Sequence, residues 1–110
     1  MQAIAEDHVA DLEAHQWYCH CWGDGTAILE HAKAVGIGIA QQPSVTGAPG
    51  VFQYGVGEGF ASIQGAAAVG ELFTSPGHRH DLLGDWTDVG IAASGDQSLP
   101  VLVIEYVAEQ

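Results

Sequence analysis

The stretch from Val101 to Val107 is apolar on both faces of an extended chain, with Val101, Val103 and Val107 on one side and Leu102, Ile104 and Tyr106 on the other. Successive side chains of a strand point to opposite faces, so such a segment needs cover above and below. That limits the chain to folds in which a sheet is packed between layers, and helices are the layers on offer. A second strand is expected over Trp86–Ala93, alternating through Val89 and Ile91, and Gly95-Asp96 between the two suggests a hairpin.

Three helices are expected. Gln2 to about Gln16 puts Ile4, Ala5, His8, Val9 and Leu12 on one face at three- and four-residue spacing. A second runs from about Ala27 to Val35, with Ile28, Ala32 and Val35 inward, Asp24 or Thr26 as its cap and Gly36 at its end. A third covers Ser62 to Phe73, with Ile63, Ala66, Gly70 and Phe73 inward. Gly65 and Gly70 each cost it about 1 kcal/mol against Ala, so it needs tertiary packing, and Pro76 stops it. Trp17 to Trp22 reads as extended and Gly23-Asp24-Gly25 as a turn. Ile37 and Ile39 suggest a strand, Pro43, Gly47, Pro49 and Gly50 a turn region, and Val51 to Glu58 a return to extended chain. With 110 residues and no repeat or linker, one domain is expected.

Fourteen acidic residues against two basic ones give a net charge of −12. Such a surface repels phosphate backbones and anionic membranes, which argues against nucleic-acid binding. The charge serves solubility or adaptation to salt or acid; a sharper reading is attraction of cations. No apolar run reaches the roughly 20 residues of a transmembrane helix. Met1 leads into Gln2-Ala3-Ile4-Ala5-Glu6-Asp7 without the basic start of a signal peptide, so none is expected here.

Three blocks carry a resemblance. Ser75-Pro76-Gly77-His78-Arg79-His80-Asp81-Leu82-Leu83, followed by Thr87-Asp88-Val89-Gly90-Ile91-Ala92, resembles the bacterial signature of the CAP superfamily, the SCP-like domains of cysteine-rich secretory, antigen 5 and pathogenesis-related proteins. Tyr18-Cys19-His20-Cys21 and Gly57-Glu58-Gly59 are similar to the family's two upstream blocks, in the same order. The resemblance covers roughly His8 to Val107. It implies an α+β fold: a three-layer α/β/α sandwich with a mainly antiparallel central sheet, here a single minimal domain over residues 1–110 lacking the usual N-terminal helix. It also implies an extracellular or cell-surface setting and a cavity in which His20, Glu58 and His78 meet. The chain departs from the family at Gly59, where an Asn is usual. It departs again at Leu72 and Ser75, where a Trp and a second cavity carboxylate are usual; Glu71 is close but out of register.

Two imidazoles and one carboxylate make a ligand set for zinc with an open position, and copper or nickel would compete. Glu58 is expected to share a strand face with Phe52, Tyr54 and Val56, where a carboxylate is costly unless paired. The alternative is a hydrogen-bonded His–Glu–His cluster that only knits the fold. His78 is expected inward and His80 at the surface, with Arg79 pairing a carboxylate. His8 is expected to be a satisfied core or rim histidine, and His15 and His31 to be exposed. Cys19 and Cys21, if extended, face away from the His20 ring and lie near the upper limit of disulfide reach, so two buried free thiols are expected. A separate thiolate metal site and a bridge between chains are the alternatives.

Gly59-Phe60-Ala61-Ser62-Ile63 does not match a nucleophile elbow, and no Lys follows the glycines at 55–59 as in a phosphate loop. The first expectation is therefore a binding or interaction module, with enzymatic activity left open. Its cavity would hold a divalent metal, zinc or copper, and its surface would take a lipid or protein partner. A metal-dependent hydrolase and a ligand-free scaffold are the alternatives, the first lacking an obvious general base. Apolar surface left uncovered by the missing first helix is expected to make the chain a homo-oligomer.

Overall fold

The computed structural model describes residues 1–43, 52–62, 66–95 and 98–110. In chain order its elements are α1 (Gln2–His15), α2 (Ile28–Ala34), β1 (Gln41–Pro43), β2 (Phe52–Tyr54), β3 (Val56–Ala61), α3 (Ala66–Thr74), α4 (Pro76–Leu82), β4 (Asp88–Ala93) and β5 (Leu102–Val107). The fold is α+β. One sheet has the order β3-β5-β4, antiparallel throughout, and β1 pairs with β2 in a separate antiparallel pair.

The central strand is β5, as its two-faced apolar pattern requires. On one face, Val101 and Val103 pack with Val9 and Leu12 of α1 and with Leu99. On the other, Ile104 and Tyr106 pack with Ala61 and with Ala68 and Leu72 of α3. Burying each large aliphatic side chain is worth about 1.5–3 kcal/mol, so these two clusters hold the helices to the sheet. A third cluster joins Ile4, Trp22, Ile28, Ala32, Ile39 and Val107, and ties α2 to one end of α1.

Two glycines permit close approach. A Cβ on Gly57 would lie 2.3 Å from the ring of Tyr106, its partner across the sheet. A Cβ on Gly90 would lie 2.3 Å from the carbonyl oxygen of Met1, so this glycine lets the start of α1 settle onto β4. The edge of β4 is also capped there. The Gln2 side-chain amide donates to the Ile91 carbonyl at 2.7 Å, and its oxygen accepts from the Ile91 N–H at 2.9 Å.

Several local expectations are corrected. Pro76 does not merely stop α3; it opens α4, because proline at the first helical position sacrifices no hydrogen bond and has the helical φ. The Ser75–Leu83 block is therefore mostly helical. Trp17 to Trp22 is not a strand: His20 sits in a bend and only Cys21 makes an isolated bridge, to Ala27. The bend brings the Cys19 and Cys21 Cα atoms to 5.0 Å, and the two form a disulfide instead of remaining free thiols. Phe52 and Tyr54 belong to β2 in the smaller sheet and do not share a strand with Glu58. The turn region expected at Gly47, Pro49 and Gly50 and the inward Ile63 lie outside the described residues.

Candidate metal centre

Glu58 of β3 and Glu105 of β5 are direct cross-strand partners, so their side chains emerge on the same face. That is the face covered by α1, and His8 is the polar member of the buried stripe Ile4, Ala5, His8, Val9 and Leu12. Helix and sheet thus close on one another with an imidazole opposite two carboxylates. The His8 and Glu105 side chains are fully buried, and the Glu58 side chain is 4% exposed.

His8 Nδ1 lies 3.0 Å from Glu105 Oε1 and 2.7 Å from Glu58 Oε2. Its other nitrogen, Nε2, donates to the Cys21 carbonyl at 3.1 Å. A carbonyl can only accept, so Nε2 carries a proton and Nδ1 is the atom turned to the carboxylates. Trp22 stacks on the His8 ring with centroids 3.8 Å apart, and His31 stacks on Trp22 at 3.7 Å. His31 is consequently half-buried, not exposed as expected, whereas His15 is exposed.

His20 reaches the same carboxylate from the loop after α1. Its Nδ1 donates to Glu58 Oε1 at 2.7 Å, and its ring, with a side chain 64% exposed, lies flat on Phe60. Glu105 Oε2 accepts no hydrogen bond from the described residues, and Glu58 Oε2 meets the His8 ring at 2.7 Å. Two buried carboxylates around one imidazole are an unusual arrangement that calls for a further cation or a proton.

The electrostatics follow from this crowding. Burial alone would pull the His8 pKa down, but the bond to Glu105 and the Glu58 and Glu105 charges push it up to about 10. Burial alone would raise Glu58, but the His20 bond and the adjacent His8 imidazolium hold it down at about 2. Glu105 is pushed up to about 9 by burial and by the Glu58 carboxylate, against the pull of His8. Two carboxylates this close in a dry site do not both ionise beside a single cation. The metal-free cluster near neutrality is therefore charged His8, ionised Glu58 and protonated Glu105, with no net charge.

One ligand atom from each of His8, Glu58 and Glu105 can be chosen so that all lie within 4.8 Å of one another, and the group could hold a metal ion. The donor set fits a divalent ion chemically. Replacing the Nδ1 proton of His8 and the proton of Glu105 by a doubly charged cation leaves the site neutral. The Nε2–H bond to the Cys21 carbonyl is the outer contact that orients a ligating histidine.

Of the three residues read from the sequence, the structure brings His20 and Glu58 together. His78 stands in α4, half-buried, and hydrogen-bonds Ser75 Oγ at 3.0 Å; it is not part of the His8–Glu58–Glu105 group. Glu105 was missed. Its signal was a lone carboxylate in a strand apolar on both faces, which cannot be buried there without a partner. Among the described residues, no helix is long and apolar enough to cross a membrane. Comparison of the chain with family models, curated proteins and solved structures found no match.

Proposed function

We propose that the chain is a CAP-type binding module that holds a divalent metal, zinc or copper, at His8, Glu58 and Glu105, with His20 steadying the second oxygen of Glu58. The observation that carries this reading is the convergence of one imidazole and two buried carboxylates, with ligand atoms within 4.8 Å of one another and the far nitrogen of the imidazole already engaged. The enclosure of all three side chains supports a binding role over a hydrolytic one, because a catalytic metal keeps a position open to substrate. The disulfide supports an oxidising compartment, as expected of a secreted or cell-surface domain. Val89 and Ile91, each 49% exposed on β4, support self-association, which sedimentation at high micromolar concentration would test.

Calorimetry with Zn2+ and Cu2+ tests the metal reading. Binding must displace the His8 and Glu105 protons, so affinity should rise about 100-fold per pH unit between pH 6 and 8, with two protons released per ion. Glu105→Gln should abolish binding. The set implied by the family resemblance, His20, Glu58 and His78, shares only Glu58 with this one. Loss of binding in His78→Ala but not in His8→Ala would assign the ion to that set. Absence of binding in the unaltered protein would leave the cluster as a proton-sharing knot of the scaffold.

A further inference from the structure

Cys19 and Cys21 form a disulfide across a single intervening residue, outside the metal group. A disulfide that closes so short a loop removes little freedom from the unfolded chain, because the gain grows with loop length. Its contribution to stability therefore gives no adequate reason for its presence. The surroundings give another. The two cysteines are half-buried, outside the sealed core, and their neighbours Tyr18 and His20 are exposed.

The two sulfurs are not equivalent. Cys21 is anchored: it bridges Ala27, and its carbonyl accepts from His8. Cys19 lies in irregular chain, and the Cys21 backbone N–H donates to Cys19 Sγ at 3.2 Å. A directed N–H favours negative charge on that sulfur, and the thiolate is the attacking form.

We propose that Cys19 and Cys21 are a thiol–disulfide exchange site for low-molecular-weight thiol–disulfide couples, with Cys19 the attacking sulfur and Cys21 the resolving one. In the reduced protein the Cys19 thiolate attacks one sulfur of the partner disulfide. A mixed disulfide forms at Cys19, the partner's S–S bond breaks, and its second sulfur leaves as a thiolate. Cys21 then gives its proton to solvent and attacks Cys19 Sγ. The Cys19–Cys21 bond closes and the partner's first sulfur leaves as a thiolate. The protein is oxidised by two electrons and the partner is reduced to two thiols. The reverse sequence, begun by attack of a partner thiolate on Cys19 Sγ, reduces the protein.

The test is equilibration of the whole, natively folded chain in glutathione buffers of graded ratio, with thiols trapped by alkylation and counted by mass. Both thiols should appear at millimolar reduced glutathione and disappear as oxidised glutathione is raised, while the far-ultraviolet circular dichroism spectrum stays unchanged. A disulfide that yields only when the chain unfolds would overturn the proposal. The assignment of roles is tested with limiting alkylating agent on the reduced, unsubstituted protein, followed by fragment sequencing. Cys19 should be labelled about tenfold faster than Cys21. Equal labelling, or faster labelling of Cys21, would sink it. Oxidised glutathione should likewise form a mixed disulfide faster with Cys21→Ser than with Cys19→Ser, and the opposite order would count against it.

Discussion

His8 with Glu58 and Glu105, and His31 with Asp24 and Glu30, each set one imidazole beside two carboxylates at the two ends of one ring stack through Trp22. The second group lines an open cavity of about 290 Å³ with Thr26 and Ala34. There every carboxylate is served locally. Asp24 Oδ1 accepts from the Thr26 N–H at 2.9 Å and from its hydroxyl at 2.5 Å, and Glu30 Oε2 accepts from the Ala27 N–H at 3.0 Å. The Thr26 bonds lower the Asp24 pKa, and backbone bonds lower that of Glu30. Both acids ionise readily and water solvates what remains. In the buried group the same chemistry splits the two acids apart, one far below and one far above the ordinary range. Access to water, not residue type, decides whether two carboxylates and an imidazole form a solvated surface group or a site that holds protons until a cation replaces them.

The largest effect of a single substitution should come from breaking the buried charge pairing. His8→Ala leaves Glu58 with only the exposed His20 as partner and should cost about 3–5 kcal/mol of unfolding free energy in urea at pH 6. Glu58→Gln should cost less than that, because Glu105 remains to pair with His8 at 3.0 Å. Glu105→Gln keeps the shape of a protonated acid and should cost less than about 1 kcal/mol in the absence of metal. If Glu105→Gln proves as damaging as His8→Ala, the proton is not on Glu105 and the two regions do not differ in this way.

The pH profile of the metal-free chain should report the same pairing. The depressed pKa of Glu58 contributes stability that is complete above its ordinary 4.5 and is lost as pH falls towards 2. The raised pKa of Glu105 contributes stability that is complete below 4.5 and lost by about 9, and that of His8 is complete below 6.5 and lost by about 10. Stability should therefore peak near pH 4.5 and fall most steeply between 6.5 and 9, where the folded chain still holds two protons that the unfolded chain has released. Melting temperatures that do not change from pH 5 to 9 would contradict the assigned charge states. The smallest effect is expected at the solvated group. Asp24→Ala should lower the melting temperature only slightly, and the loss should vanish in acid as the unaltered Asp24 is itself protonated. A loss as large as that of His8→Ala would erase the distinction between the two regions.

Much of this frame was legible in the residues. The two-faced pattern of Val101–Val107 required the covered central strand, and the spacing of Ile4 to Leu12 marked the helix face that meets it. His20 and Glu58 were readable as partners through the family resemblance, although 38 positions separate them. The cross-strand register was not readable, and it alone puts Glu58 opposite Glu105. Without it, Glu105 is one acid among fourteen and His8 a core histidine of no evident purpose. The Cys19–Cys21 bond is hidden for a related reason: the residues read as an extended strand where the chain bends, and the bend comes with contacts of Cys21 to His8 of α1 and to Ala27.

Trp22 gives the buried centre an optical voice. Its indole lies between the rings of His8 and His31, and its N–H donates to Asp7 Oδ2 at 2.9 Å. A charged imidazolium in face contact with an indole drains the excited state, whereas a neutral ring does so weakly. Trp17 is exposed and Trp86 half-buried, so the emission of each is set by different surroundings. The blue component of the fluorescence, from the buried indole, should therefore brighten when His8 exchanges its proton for zinc, with no dye or label attached.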